Sequence, residues 1–232
     1  MNDPLHIGFL LFPRVTQLDL TGPAQVLSRV PNAAVHLLWK TKEPVVTDVG
    51  FEINPTTRFA DCPPLTVLCV PGGFGIDDLL TDKVTLGFLR QQGETARYVT
   101  SVCNGSLVLG AAGLLNGYRS ACHWMWRKYL PRFGAEPVAE RVVRDRNRIS
   151  GGGVTAGIDF GLALAAELAG EEVAKTLQLA FEYDPHPPFD CGSPEKAGPD
   201  RVRRLTDLQQ ERIAHVEAQI AKAALAQISS KE

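Results

Sequence analysis

Residues 98–115, YVTSVCNGSLVLGAAGLL, constrain this chain more than any other stretch. A β-branched run meets one cysteine, Cys103, and helix-forming residues follow at once. A strand that turns directly into a helix at a nucleophilic residue is the elbow arrangement. Its side chain stands clear of the sheet, and the first N–H groups of the helix point at it. Those amides and the helix dipole favour negative charge, so the thiol is expected to ionise more readily than the ~8.5 of free cysteine. Ser101 and Gly105 are small enough to let the backbone fold back. A cysteine merely buried at a strand end is the competing reading, and the rest of the chain weighs against it.

Around the elbow, short apolar runs alternate with helical stretches. Strands are expected at 6–12, 34–40, 66–70 and 98–102, with helices at 19–30, through about 92, at 105–112 and at 155–169. That alternation is the signature of an α/β fold, a parallel sheet sandwiched by helices. Around 46–53 and 141–149 the pattern reads instead as small β-hairpins, the second with a polar turn at 145–147. Residues 184–199, rich in proline and glycine, read as an irregular loop, and 190–200 as the arm before a long C-terminal helix over 201–228. In that helix Val202, Leu205, Leu208, Ile213, Val216 and Ile220 recur mostly at three- and four-residue spacing. The stripe is longer than the end of a finished domain requires, so it either lies over its own domain or crosses to a second subunit. No repeat or linker interrupts the chain, and one domain over 1–232 is expected.

Composition narrows the function classes. The formal net charge of −2 gives no reason to expect nucleic acid or an anionic membrane as partner. The apolar stretch 7–12 is cut by Pro13 and lacks a basic leader, so no signal peptide is expected, and no run approaches a membrane span. The five cysteines, Cys62, Cys69, Cys103, Cys122 and Cys191, are odd in number and contain no CxxC pair. That argues for free thiols in a reducing cytoplasm rather than a disulfide scaffold or a zinc site.

Three further places carry chemistry. Pro71-Gly72-Gly73 ends a strand and lacks the spacing of a nucleotide loop. If its strand neighbours the elbow strand, the Gly72 and Gly73 amides face Cys103 and could hold a developing anion; a plain turn is the alternative. Asp19, between two leucines in QLDLTGP, is poorly placed for a solvated surface. It is either a helix cap or a carboxyl group at the sheet's carboxyl edge, where desolvation and a thiolate would raise its pKa for proton transfer. His123 in ACHW is the best histidine for a Cys–His pair, with a packed core histidine as the stronger reading. Gly151-Gly152-Gly153, before the helix at 155, is either an anion site or, the stronger reading, lets that helix approach closely with the Val154 backbone near Cys103.

Taken together, SVCNGS, PGG, QLDLTGP and GGGVTAGIDF resemble the PfpI/ThiJ-like superfamily of class I glutamine amidotransferase-like folds. Within it, IGFLLFP, FADCPPL, YVTSVC, GSLVLGAAGLL, RVVRD and EYDPHPPF are most similar to the isocyanide hydratases, over essentially the whole chain. An aspartate at position 19, where many relatives carry glutamate, is the more discriminating residue. The resemblance implies a flavodoxin-like sheet, Cys103 as nucleophile, Asp19 as essential acid/base, a homodimer and no cofactor or metal. It also implies cysteine-dependent hydration of a small isocyanide to an N-substituted formamide through a covalent thioimidate. Asn104 departs from the threonine often found after the nucleophile. Its backbone N–H still faces the site, while its amide changes the polar contacts. Two other readings stay open: another thiol-dependent activity of the superfamily, glyoxalase-like or peptidase, and a cysteine redox-sensing regulatory module.

Overall fold

The computed structural model describes residues 3–229; residues 1–2 and 230–232 of the expected domain lie outside the described residues. In chain order the first half contains β1 (Leu5–Leu10), α1 (Gln17–Leu27), β2 (Ala33–Trp39), β3 (Val45–Val46), β4 (Glu52–Ile53), β5 (Thr57–Arg58), β6 (Val67–Val70), α2 (Ile76–Leu79) and α3 (Lys83–Thr95). The second half contains β7 (Tyr98–Val102), α4 (Gly105–Ala111), β8 (Arg119–Ser120), a 3-10 helix (Arg127–Phe133), β9 (Glu136–Pro137), β10 (Val142–Asp145) and β11 (Arg148–Gly151). After them come α5 (Ala156–Ala169), α6 (Glu171–Ala180), α7 (Pro194–Ala197), α8 (Pro199–Asp207) and α9 (Gln210–Ser229).

Seven strands form one sheet in the order β10-β11-β7-β6-β1-β2-β5, parallel throughout except for β10 on the edge. The two central runs, VLCV and YVTSV, are buried at every residue because helices cover both faces. Thr100 is tolerated there because its hydroxyl donates to the Leu68 carbonyl at 3.0 Å. From β1 the chain runs outward through α1 to β2 and then returns to β6 on the other side of β1. That reversal opens a crevice at the carboxyl ends of β1 and β6, the place where open α/β sheets bind ligands. The first turn of α1 and the loops after β6 and β7 converge on it, carrying Asp19, Gly72 and Cys103 respectively.

Both expected hairpins form, β3 with β4 and β10 with β11. The second does more than a surface hairpin, since β11 pairs parallel with β7 and brings Gly151 beside the elbow. Along the chain's last third one helix is added and two expectations are corrected. The helix α6 follows Gly170, its first turn bearing Glu171 and Glu172 at the positive end of the dipole. The irregular loop contains one helical turn, α7, started by Ser193, whose side chain accepts from the Lys196 amide. The single helix over 201–228 is two, broken at Leu208 and Gln209 by a tightened turn in which the Gln209 amide bonds the Thr206 carbonyl at 3.0 Å. The break has a packing cause. α9 buries Val216, Ile220 and Ala223 against the body of its own chain, beside α2, α4 and the 3-10 helix. The continuation of the stripe in α8 finds no such surface, and Leu208 is left 72% exposed.

Candidate active site

Cys103 sits at φ 57°, a left-handed backbone conformation that a side chain with a Cβ rarely adopts. The strain, of order 1–3 kcal/mol, is held by neighbours on both sides. The Cys103 amide donates to the Gly151 carbonyl at 3.1 Å, and the Ser106 hydroxyl donates to the Cys103 carbonyl at 3.2 Å. Behind it Gly105 lets α4 start directly under the end of β6, since a Cβ there would lie 2.2 Å from the Val70 carbonyl oxygen.

Asp19 is fully buried on the first turn of α1. Its Oδ2 accepts from the Gly72 amide at 2.9 Å, whereas Oδ1 is buried with no hydrogen-bond partner. Burial pushes the carboxyl up to about 7, against the pull of the Gly72 amide and of the Cys103 thiol; Asp48 adds a smaller push upward. The thiol behaves differently from the elbow expectation. Burial, then the charges of Asp19 and Cys122, drive Cys103 well above an ordinary thiol, and the Asn104 backbone N–H opposes them only in part. A helix terminus favours a thiolate in water, but here desolvation outweighs it. The two groups are therefore a coupled pair, best described by the protons they hold together.

The strand-end glycines take roles other than those expected from sequence. The Gly72 amide is engaged by Asp19, and the Gly73 amide donates to the Asn104 side-chain oxygen at 2.8 Å. Asn104 returns a bond from Nδ2 to the Gly73 carbonyl at 3.1 Å, so its amide pairs with one backbone residue through both edges. Although Asn104 is the N-cap residue of α4, its side chain makes no capping bond there. With both glycine amides committed, the donor left beside the sulfur is the Asn104 backbone N–H. Gly72 must lack a side chain, because a Cβ would fall 2.2 Å from Asn104 Oδ1 and 2.7 Å from Asp19 Oδ2. Gly72→Ala is expected to lower stability by about 1–3 kcal/mol, measured by urea unfolding. A variant as stable as the parent would mean that this packing is looser than it looks.

Above the pair lies a cavity of about 210 Å³, lined by Cys103, Asn104, Gly73, Val154 and apolar groups including Phe74, Met125, Trp126 and Leu205. His123 also lines it, but no hydrogen bond joins it to Cys103 among the described residues. Burial, then Arg212 and Arg127, push its imidazole down to about 4, so it is neutral near pH 7. Its Nδ1 accepts from the Met125 amide at 3.4 Å, which leaves the proton on Nε2. The expected site residues Cys103, Asp19, Gly72, Gly73, Asn104 and Val154 thus gather in one place. Among the described residues no group of three or more His, Cys, Asp or Glu side chains is placed to hold a metal ion.

The sequence reading missed the lining residues Thr16, Phe74, Met125, Trp126 and Gln209 and, most consequentially, a cation. Arg212, on α9, pairs with both oxygens of Asp77 at 3.0 and 2.9 Å and donates to the Gly73 carbonyl at 3.0 Å. Its guanidinium lies over the rings of Phe74 and Trp126, 4.2 and 5.0 Å from their centroids. With Leu205 and Gln209 it makes the C-terminal helices the roof of the cavity. The pair is largely withdrawn from water, so removing either partner alone costs about 3–5 kcal/mol. Its only trace in the sequence is a cation one residue before the apolar position Ile213, which any solvated helix face would also show.

The DJ-1/PfpI family model matches residues 6–167. An isonitrile hydratase from Pseudomonas putida is 58% identical over 193 residues, covering 83% of this chain and 85% of its own. The transcriptional regulator GbdR of Pseudomonas aeruginosa is 30% identical, but that match covers 79% of this chain and only 52% of the regulator. Among solved structures, a ThiJ/PfpI family protein from Pseudomonas syringae superimposes with a TM-score of 0.90 at 46% identity, covering 95% of this chain and 91% of that one. The sheet order, the elbow and these matches agree, and the chain belongs to the DJ-1/PfpI family.

Proposed function

We propose that this chain hydrates isocyanides to N-substituted formamides, with Cys103 as nucleophile and Asp19 as acid and base. The observation that carries the reading is the buried Asp19–Cys103 pair under a small apolar cavity, in a chain 58% identical to an isonitrile hydratase. The terminal carbon of R–N≡C is electrophilic and has no leaving group, so a thiol can add if its proton reaches that carbon. Asp19 Oδ2 is committed to Gly72, and the unpartnered Oδ1 is the oxygen free to move the proton. It takes the Cys103 proton as sulfur attacks and delivers it to carbon, giving R–N=CH–S–Cys103. The carboxylate then takes a proton from water as the water oxygen adds to that carbon, and passes it to nitrogen. Loss of the hydroxyl proton with cleavage of the C–S bond releases R–NH–CHO and restores the thiol. The Asn104 backbone N–H supports the sulfur when it carries charge.

A homodimer in the cytoplasm belongs to the same reading. The exposed Leu179, Phe189, Leu205 and Leu208 supply apolar surface for a second copy, and five unpaired cysteines suit a reducing compartment. One domain is the simplest organisation for a single seven-stranded sheet carrying one such crevice.

The test is production of N-cyclohexylformamide from cyclohexyl isocyanide, with methylglyoxal offered in parallel. Lactate without formamide would move the chain to a glyoxalase-like activity, and oxidation of Cys103 by peroxide without any turnover would make it a sensor. The pH profile gives a sharper check. The pair must hold one proton, so kcat/KM should rise with pH through an apparent pKa of about 7, where Asp19 ionises. A profile flat from pH 5.5 to 8.5 would contradict the assignment of Asp19 as the group that receives the thiol proton.

A further inference from the structure

The roof of the cavity holds a polar feature that the hydration mechanism leaves unused. Arg212 presents the Nε–Nη2 edge of its guanidinium to Asp77, and Nη2 also reaches the Gly73 carbonyl. In a planar guanidinium that edge and the Nη1 group point in different directions. Among the described residues Nη1 carries no hydrogen bond, and it is not one of the sealed buried atoms. Since Arg212 lines the cavity beside Cys103, its Nη1 donors are the ones it can offer to a bound molecule. The rings of Phe74 and Trp126 hold the guanidinium plane in place, so the donors are preorganised.

Charge decides what kind of acceptor fits. The Arg212 cation is already balanced by the buried Asp77 carboxylate. Of the two cations that act on His123, Arg212 and Arg127, only Arg212 lines this cavity. The Asp19 carboxyl lies next to Cys103 below. An anionic ligand would therefore add charge to a site with no spare cation, whereas a neutral oxygen acceptor satisfies Nη1 without that cost.

We propose that Arg212 forms a substrate subsite, and that the preferred isocyanides carry a neutral oxygen acceptor, such as an ester or amide carbonyl, on the R group. This rests on the isocyanide reading above. It makes Arg212 a specificity-determining residue and Asp77 the group that sets the sign of that specificity.

The experiment compares kcat/KM for methyl isocyanoacetate, its hydrocarbon isostere 2-methylbutyl isocyanide, and isocyanoacetate, in wild type, Arg212→Met and Asp77→Asn. Ratios are read within each protein, so a general loss of activity from a disturbed roof cancels. Wild type should prefer the ester to the hydrocarbon by about tenfold or more, the scale of a charge-assisted hydrogen bond. Arg212→Met should bring that ratio to near one. Asp77→Asn leaves Arg212 uncompensated and should shift preference toward isocyanoacetate over the ester by about tenfold. An ester-to-hydrocarbon ratio unchanged by Arg212→Met overturns the subsite. Wild type that turns over none of the three overturns the isocyanide reading instead. The subsite is then read by calorimetric binding of N-formylglycine methyl ester against N-(2-methylbutyl)formamide, where equal affinities in wild type overturn it too.

Discussion

Cys103→Ala is expected to abolish formamide production from cyclohexyl isocyanide, a loss of at least about a thousandfold in kcat, with a cooperative melting transition retained. In the proposed mechanism the sulfur supplies the bond to the isocyanide carbon. Cys122 is the nearest rival, but it lines a neighbouring cavity rather than the one above the elbow. Alanine also keeps a Cβ at φ 57°, so the strained elbow is neither relieved nor worsened. The fold should survive for that reason, and circular dichroism alongside the assay separates lost chemistry from lost structure. Residual turnover within tenfold of wild type would show that the reaction does not pass through a covalent bond to this sulfur.

Asp19→Asn is expected to lose turnover and, above neutral pH, to melt higher than wild type. The sign follows from proton linkage. Burial raises the folded carboxyl from 3.8 to about 7, so between those values the native state binds more protons than the unfolded chain. Stability therefore falls as pH rises from about 4 to about 7, and the full penalty, up to about 4 kcal/mol, applies above that range. Asparagine cannot ionise, yet its side-chain oxygen can still accept from the Gly72 amide. At pH 8 the variant should gain about 5–10 °C in melting temperature, and the gap should close toward pH 4. A gap that stays constant with pH would mean that Asp19 is ionised at ordinary cost in the folded protein, leaving it poorly suited to shuttle a proton. A protein that carries such a penalty for its activity is the familiar exchange of stability for function.

Arg212 and Asn104 show how far such a site exceeds its motifs. The proposed nucleophile and acid, Cys103 and Asp19, follow β7 and β1, the two strands that flank β6. Beside them a set of bonds converges on one backbone residue, Gly73, gripped by Asn104 through both edges and by Arg212 from the C-terminal helices. The Asn104 amide thus braces the glycine turn and leaves its backbone N–H to the sulfur.

The strand and helix alternation, the elbow at Cys103, the two hairpins and the apolar helix after the triple glycine were legible in the sequence because each is a local pattern. Hydrophobic period, β-branching and turn residues act within a few positions of one another, and they point to one parallel sheet. Asp19 could be singled out because an acid between two leucines is a local contradiction that calls for a partner. The identity of that partner's environment was not local. Only the tertiary structure decided that Cys103 is desolvated enough to hold its proton and that the glycine amides are spent on Asp19 and Asn104. The helix break at Leu208 and Gln209, and a cation 139 residues away closing over Gly73, were decided the same way. Burial, charge compensation and long-range hydrogen bonds depend on what else arrives in the same place, and no window of sequence contains that information.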